Sequence, residues 1–196
     1  MAGDLRIGMI RHGETDWNKE GRIQGSTDVP LNELGIRQAE RLARRLAQVD
    51  DAWDVVYTSD LSRAWRTACI IAEALRLPAP QKDRRLREKS FGEAEGTTPE
   101  ERAARWGDDW RERVRGAETD EQVVRRGTAA LNDIMARHAG GNILLVTHGG
   151  WIVRMLGHLL PAVELPYIGN TSLTIIERRD GGWHPTLLGC QAHLDA

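Results

Sequence analysis

Apolar side chains recur along the chain with two different periods, and the alternation between them sets out the fold. Leu5, Ile7, Met9 and Ile10 form a near-continuous apolar run that suits a strand in the middle of a sheet, and it stops abruptly at Arg11, His12 and Gly13. A polar loop follows through Pro30. In "LNELGIRQAERLARRLAQV" the apolar positions Leu34, Ala39, Leu42, Leu46 and Val49 fall at helical spacing, with Asn32 placed to cap the first turn. "WDVVYTS" reads as a short β-branched strand. Asp60 or Ser59 is then expected to cap a second helix, "LSRAWRTACIIAEAL", which ends before Pro78.

From Gly92 to Gly116 strand character disappears, and Trp106 and Trp110 stand one helical turn apart in a charged background, which predicts a short helical excursion over the sheet. Residues 118–138 predict a long helix and "NILLVT" a third buried strand. "WIVRMLGHLL" predicts a further helix starting at or just after Gly149 and Gly150. The last segment, "TSLTIIERRDGGWHPTLLG", reads as two strands joined at Asp180-Gly181-Gly182, a hairpin at one sheet edge. Strands alternating with helices of these lengths imply a layered α/β fold with a largely parallel sheet.

With 196 residues the chain fits a single domain, with the stretch at about 93–117 as a cap-like excursion. The charged fraction is 29% and the net charge −2, from 27 basic and 29 acidic side chains, so the total favours neither nucleic acid nor an anionic membrane as a partner. Asp4, Arg6 and Arg11 interrupt the N-terminal apolar stretch, so it does not read as a secretory leader, and a cytoplasmic location is expected. Cys69 and Cys190 lie far apart in apolar surroundings and read as small core side chains rather than a disulfide. No pair of acids or histidines has metal-ligand spacing, and neither metal nor other cofactor is expected.

What stands just after each early or middle strand narrows the chemistry. The first strand delivers Arg11, His12 and Gly13, the second leads into "TSDLSR" with Arg63, and the third delivers Thr147, His148, Gly149 and Gly150. If these strands are parallel neighbours, the three ends open on one edge of the sheet, where helix N-termini also present unpaired N–H groups. Taken singly, each arginine or histidine would serve as well as a helix cap or a solvated end. Together, two arginines and two histidines repel one another unless an anion sits among them, and a guanidinium fork matches the oxygens of a phosphate.

Four segments carry a family pattern in order along nearly the whole chain: "IRHGETDWNKEGRIQG", "VVYTSDLSRAWRTA", "LREKSFGEAEG" and "LLVTHGGWIVRML". In them the chain resembles the histidine phosphatase superfamily, the phosphoglycerate-mutase-like or RHG phosphatases. The resemblance implies a three-layer α/β/α sandwich with a mostly parallel central sheet and a short helical cap insertion. It implies that His12 is the nucleophile that takes up the phosphoryl group, and that Glu88 is the general acid and base. Arg11, Arg63 and His148 match the family's phosphate pocket, with Asn18 and Gln24 lining it and Gly149 beside His148. A small phosphorylated substrate and inorganic phosphate as product are then the expected partners. The chemistry agrees: a ring nitrogen in the right tautomer can attack phosphorus while arginines stabilise the charge on the equatorial oxygens. Glu88 would protonate the leaving oxygen and later activate water, so it must hold a proton near neutral pH.

The family holds hydrolases and mutases on one pocket. Here the loop after the acid, "EKSFGEAEGTTPEE", is acidic beyond Lys89, so Glu93 and Glu95 would repel a second phosphate, unless Arg102, Arg105, Arg111 or Arg113 reached in from the excursion. Hydrolysis of a phosphomonoester is therefore expected ahead of phosphoglycerate mutase chemistry, and a catalytically weak regulatory binder ranks third because the whole set of matched residues is intact. Many small phosphatases of the family carry Trp where this chain has Ala94. Trp106 and Trp110 could supply that aromatic face, or could simply pin the excursion to the core. The C-terminal strands offer an edge through which a homodimer could form.

Overall fold

A computed structural model describes residues 5–48 and 53–195. In chain order the elements are β1 (Leu5–Arg11), α1 (Asp16–Lys19), α2 (Glu33–Gln48), β2 (Val55–Thr58), α3 (Ser62–Ala74) and β3 (Gln81–Lys82), then α4 (Pro99–Trp106), α5 (Trp110–Arg113) and α6 (Asp120–Arg137), and finally β4 (Asn142–Thr147), α7 (Gly149–Leu159), β5 (Leu173–Arg179) and β6 (Gly182–Cys190). They build one six-stranded sheet in the order β3-β2-β4-β1-β5-β6. The pairs β2–β3, β2–β4 and β4–β1 are parallel, and β5 runs antiparallel to both β1 and β6. The largely parallel α/β sheet expected from the sequence is thus present, its antiparallel part confined to the hairpin at one edge.

Alternation along the central strands divides the core into two layers. Ile7, Met9, Ile143 and Leu145 face α6 and α7, where they meet Leu131, Ile134, Trp151 and Met155. Ile10, Leu144 and Val146 face the other way, onto Leu42, Leu46, Ala68 and Ile71 of α2 and α3. Both faces are buried, which is why β1 and β4 read as continuous apolar runs. Gly8 makes room on the second face: a Cβ there would lie 2.7 Å from both the Leu144 side chain and the Trp53 ring.

Local signals explain most boundaries. Asn32 caps α2, its side-chain oxygen accepting the Gly35 N–H at 2.8 Å, as the sequence predicts. Thr98 with Glu101 and Thr119 with Gln122 form reciprocal capping boxes at α4 and α6, so α6 begins at Asp120, two residues later than the apolar pattern suggests. The expected cap of α3 is different. Leu61 occupies that position with no side-chain bond, while Asp28, from the loop before α2, accepts both the Ser62 N–H and hydroxyl at 2.7 Å. Asp60 is instead bound by the Arg87 guanidinium at 2.6 and 2.7 Å. Strand β3 has two residues, too few to leave a periodic trace. Cys69 and Cys190 are unpaired but only half-buried, and Arg45 donates to the Cys190 sulfur. Val49, assigned to α2 from the sequence, lies outside the described residues. No described helix is long and apolar enough to cross a membrane.

Candidate active site

The register of the sheet places the three strand ends side by side. Arg11 at the end of β1 pairs with Thr147 at the end of β4, and Thr58 at the end of β2 pairs with Val146, one residue short of it. Beyond them the chain turns out of the sheet at His12, Ser59 and His148 on the same edge. His12 continues the ladder by one bond, donating its N–H to the Thr147 carbonyl at 2.9 Å. Gly13 then lets the backbone pass directly beneath α2: a Cβ on Gly13 would stand 2.4 Å from the Gly35 carbonyl oxygen, and one on Gly35 would stand 2.1 Å from that of Glu14. The abrupt end of the first apolar run is the point where chain and helix cross.

The His12 ring has a defined tautomer. Its Nδ1 lies 2.6 Å from the Gly13 carbonyl, and a carbonyl can only accept, so Nδ1 carries the proton and Nε2 keeps its lone pair. The ring stands 5.1 Å from that of His148, edge-on at 61°. Both imidazoles are buried, and burial first, then the charges of Arg63 and Arg11, pushes both well below the usual histidine range. His12 is therefore neutral at neutral pH, with a lone pair on Nε2.

The cations around it are fixed by backbone carbonyls. Arg63, on the first turn of α3 and fully buried, donates to the Gly25 and Thr27 carbonyls at 2.8 Å each. Burial lowers its guanidinium to about 10, which leaves it charged at neutral pH. Arg11 donates to the Ile168 carbonyl at 2.7 Å, and its stem lies against Gly149, where a Cβ would come within 3.3 Å of Arg11 Cδ. Buried atoms of this group find no hydrogen-bond partner: Nε of Arg11, Nε of Arg63 and both nitrogens of His148. Unmatched donors among like charges are what a phosphoryl group would satisfy.

Glu88 joins the group from the loop after the 3₁₀ turn at Arg84–Leu86. Its two carboxyl oxygens accept the N–H groups of Lys89 at 2.8 Å and Gly150 at 2.9 Å, so it sits at the N-terminus of α7 beside His148. Asn18 and Gln24 lie one step further out. The Asn18 side chain caps Thr15 and accepts from Asn170 at 3.3 Å, and Asn170 also donates to the His12 carbonyl at 3.0 Å. Gln24 is buried next to Gly25, whose carbonyl anchors Arg63.

Several residues of the site escape sequence reading. Thr67 accepts the Gly13 N–H at 3.1 Å, and the Thr171 N–H bonds the Arg11 carbonyl at 3.0 Å. Tyr167, 81% exposed, brings its hydroxyl to 3.5 Å from Arg11. Tyr167, Asn170 and Thr171 all precede β5, and a strand antiparallel to β1 must start at the edge where β1 ends. That was the available signal. Ala94 is fully buried, and Trp110 packs on Phe91 with the guanidinium groups of Arg102 and Arg111 over its ring, so this tryptophan pins the excursion to the acid-bearing loop.

The model of the histidine phosphatase superfamily, branch 1, matches residues 7–191. The chain belongs to that superfamily. It is 35% identical over 189 residues to the uncharacterized phosphatase PhoE of Bacillus subtilis (strain 168), covering 95% of each chain. It is also 35% identical to the probable phosphoglycerate mutase GpmB of Yersinia pestis (strain Pestoides F), over 97% of this chain and 95% of that one. Among solved structures, a mycobacterial glucosyl-3-phosphoglycerate phosphatase superposes with a TM-score of 0.85 at 28% identity, over 95% of this chain and 99% of the other. The protein thus has the phosphoglycerate-mutase-like fold of this superfamily, whose members similar to it carry both phosphatase and mutase names.

Proposed function

We propose that this histidine phosphatase hydrolyses phosphomonoesters of a small, polar metabolite through a phosphohistidine on His12, without a metal ion. The observation that carries the reading is the His12 tautomer: Nδ1 is spent on the Gly13 carbonyl, which leaves the Nε2 lone pair of a buried neutral ring available as a nucleophile among Arg11, Arg63 and His148. In the first step Nε2 bonds to phosphorus, the ester P–O bond breaks, and the Glu88 proton passes to the leaving alkoxide. In the second, water attacks phosphorus, its proton returns to Glu88, and the P–N bond breaks to release inorganic phosphate. Arg11 and Arg63 stabilise the equatorial oxygens throughout.

The leaving group has a polar place to go. Beside Glu88 lies an open cleft of about 510 Å³ lined by Ser26, Arg87, Ser90, Glu118, Gln122 and Arg126 among others, which suits a hydroxylated or carboxylated alcohol better than an aryl group. Mutase chemistry is the second reading, kept by the likeness to GpmB. Against it, the excursion's cations are engaged elsewhere: Arg102 donates to the Thr97 carbonyl, Arg105 lies over Trp106, Arg111 lies over Trp110 and Arg113 pairs with Asp109. Glu95, expected from the sequence to repel a second phosphate, is instead turned to the N–H groups of Ser26, Thr27 and Phe91, where it ties the acid-bearing loop to the turn that anchors Arg63, so its charge does not weigh against the mutase. The test is product analysis with a panel of phosphomonoesters and with 3-phosphoglycerate plus 2,3-bisphosphoglycerate, in a chelator. Release of inorganic phosphate lost in His12→Ala is expected; interconversion of phosphoglycerates without net release would establish the mutase instead.

A further inference from the structure

We infer that Arg126, on α6 and outside every motif of the phosphate pocket, is the positioning residue for Glu88, and that Glu118 holds Arg126 in that role. The inference rests on Glu88 being the general acid. The Arg126 guanidinium donates to three backbone carbonyls of one short loop: Arg85 at 2.7 Å, Arg87 at 2.7 Å and Glu88 itself at 3.1 Å. The remaining carbonyl of that run, Leu86, is taken by the Thr147 hydroxyl at 2.6 Å, and the Trp151 indole adds a second bond to Arg85 at 3.1 Å. Four consecutive carbonyls are therefore fixed, three of them by one side chain. Glu118 fixes the side chain in turn through two bonds, at 2.7 and 2.9 Å, and its own N–H donates to the Ser90 carbonyl on the far side of the acid. Burial alone would raise the Glu118 carboxyl, yet the Arg126 pair holds it below the usual carboxylate range, so the pair stays charged at neutral pH. A planar fork with five donors can satisfy this set; a lysine has neither the reach nor the geometry.

Charge alone does not account for this arrangement, because Arg126 spends its donors on main chain rather than on the phosphate site. Its loss would leave the pocket of Arg11, Arg63 and His148 in place and set the acid adrift by an ångström or so. Such a displacement costs on the order of 10²-fold where proton transfer is needed and little where it is not. Nitrophenolate departs unaided, whereas an alkoxide needs the proton. The experiment compares kcat/KM for p-nitrophenyl phosphate and for an alkyl phosphate in wild type, Arg126→Gln, Arg126→Lys, Glu118→Gln and Glu88→Gln, together with the inhibition constant of inorganic phosphate. The inference expects Arg126→Gln to lose roughly 10²-fold on the alkyl ester and within about threefold on the aryl ester. The phosphate inhibition constant should not change, Glu118→Gln should show the same pattern more mildly, and Arg126→Lys, which keeps the charge but not the fork, should lose as much as Arg126→Gln. An equal loss on both esters, a weakened phosphate constant, or an alkyl-ester loss carried by KM with kcat unchanged would make Arg126 a general support of the pocket or a contact to the leaving group in the cleft it lines, and would overturn the inference. Should Arg126→Gln fail to fold, the milder Glu118→Gln decides by the same ratio. If Glu88→Gln itself shows no preference between the esters, the acid assignment fails first, and that outcome is separable from a failure of Arg126.

Discussion

Replacing Gly150 by alanine separates catalysis from stability in this protein. A Cβ at that position would stand 2.5 Å from Glu88 Oε1, 3.0 Å from Cδ and 3.1 Å from Oε2, where ordinary contact begins near 3.4 Å. The obstructing atoms are the end of a flexible side chain, so the carboxylate gives way, by about 0.9 Å, and the helix does not. A misplacement of that size costs on the order of 10²-fold when the displaced group must transfer a proton. Alanine in place of glycine in a helix contributes up to about 1 kcal/mol, while the weakened Glu88 bond to the residue-150 N–H removes a similar amount. For a chain of this size the melting temperature should then stay within roughly 4 °C of wild type. The assay is kcat/KM on an alkyl and an aryl phosphate, with a thermal melt alongside. Wild-type turnover of the alkyl ester would show that Glu88 is not the acid. A collapse in melting temperature would show that Gly150 is needed for packing rather than to admit the carboxylate.

Other consequences follow from the same geometry. Arg63→Lys, which cannot hold both the Gly25 and Thr27 carbonyls and still face the phosphate, should lower kcat/KM by roughly 10²-fold or more on either class of ester, as measured by initial rates. Because burial depresses the His12 imidazole, its titration in the free enzyme, followed by NMR, should have a midpoint below 6.5, and a midpoint at or above that value would contradict the buried neutral ring. His12, His148 and His193 all resist protonation when folded, so the unfolded chain binds more protons as pH falls. Stability should therefore decline below about pH 6.5, with the His193 part of the loss, set by burial to a value of about 4, complete only below that. Urea melts from pH 7 to pH 4 measure this, and a flat profile would oppose it. Gly8→Ala should cost about 1–3 kcal/mol, because its methyl would collide with Leu144 and Trp53 inside a packed layer.

How much of this was readable in advance depended on whether the determining contacts are local. Strands β1, β2 and β4 and helices α2, α3, α6 and α7 are periodic over enough residues to be seen, and the parallel alternation then brings Arg11, His12, Arg63 and His148 to one edge. Asn32 capping α2 is a local signal and was legible. The cap of α3 was not, because Asp28 reaches Ser62 from a loop 34 residues away. Glu95 behaves likewise: in sequence it is one acid among several, and in the fold its carboxylate accepts from Ser26, Thr27 and Phe91. Arg126 sits on a helix whose apolar stripe announces only packing, and its bonds go to backbone carbonyls, which carry no residue identity for a pattern to register.

In the proposed reaction His12 carries the phosphoryl group, and rapid-quench trapping reads that group out on the enzyme itself. The protein is mixed with a labelled phosphomonoester, quenched in base over milliseconds to seconds, digested, and the labelled peptide identified by mass. A base-stable, acid-labile phosphoryl group is expected on the peptide containing His12, formed before inorganic phosphate appears, decaying at the rate of turnover and missing in His12→Ala. Label on any other residue, or phosphate released by His12→Ala at the wild-type rate, would contradict it.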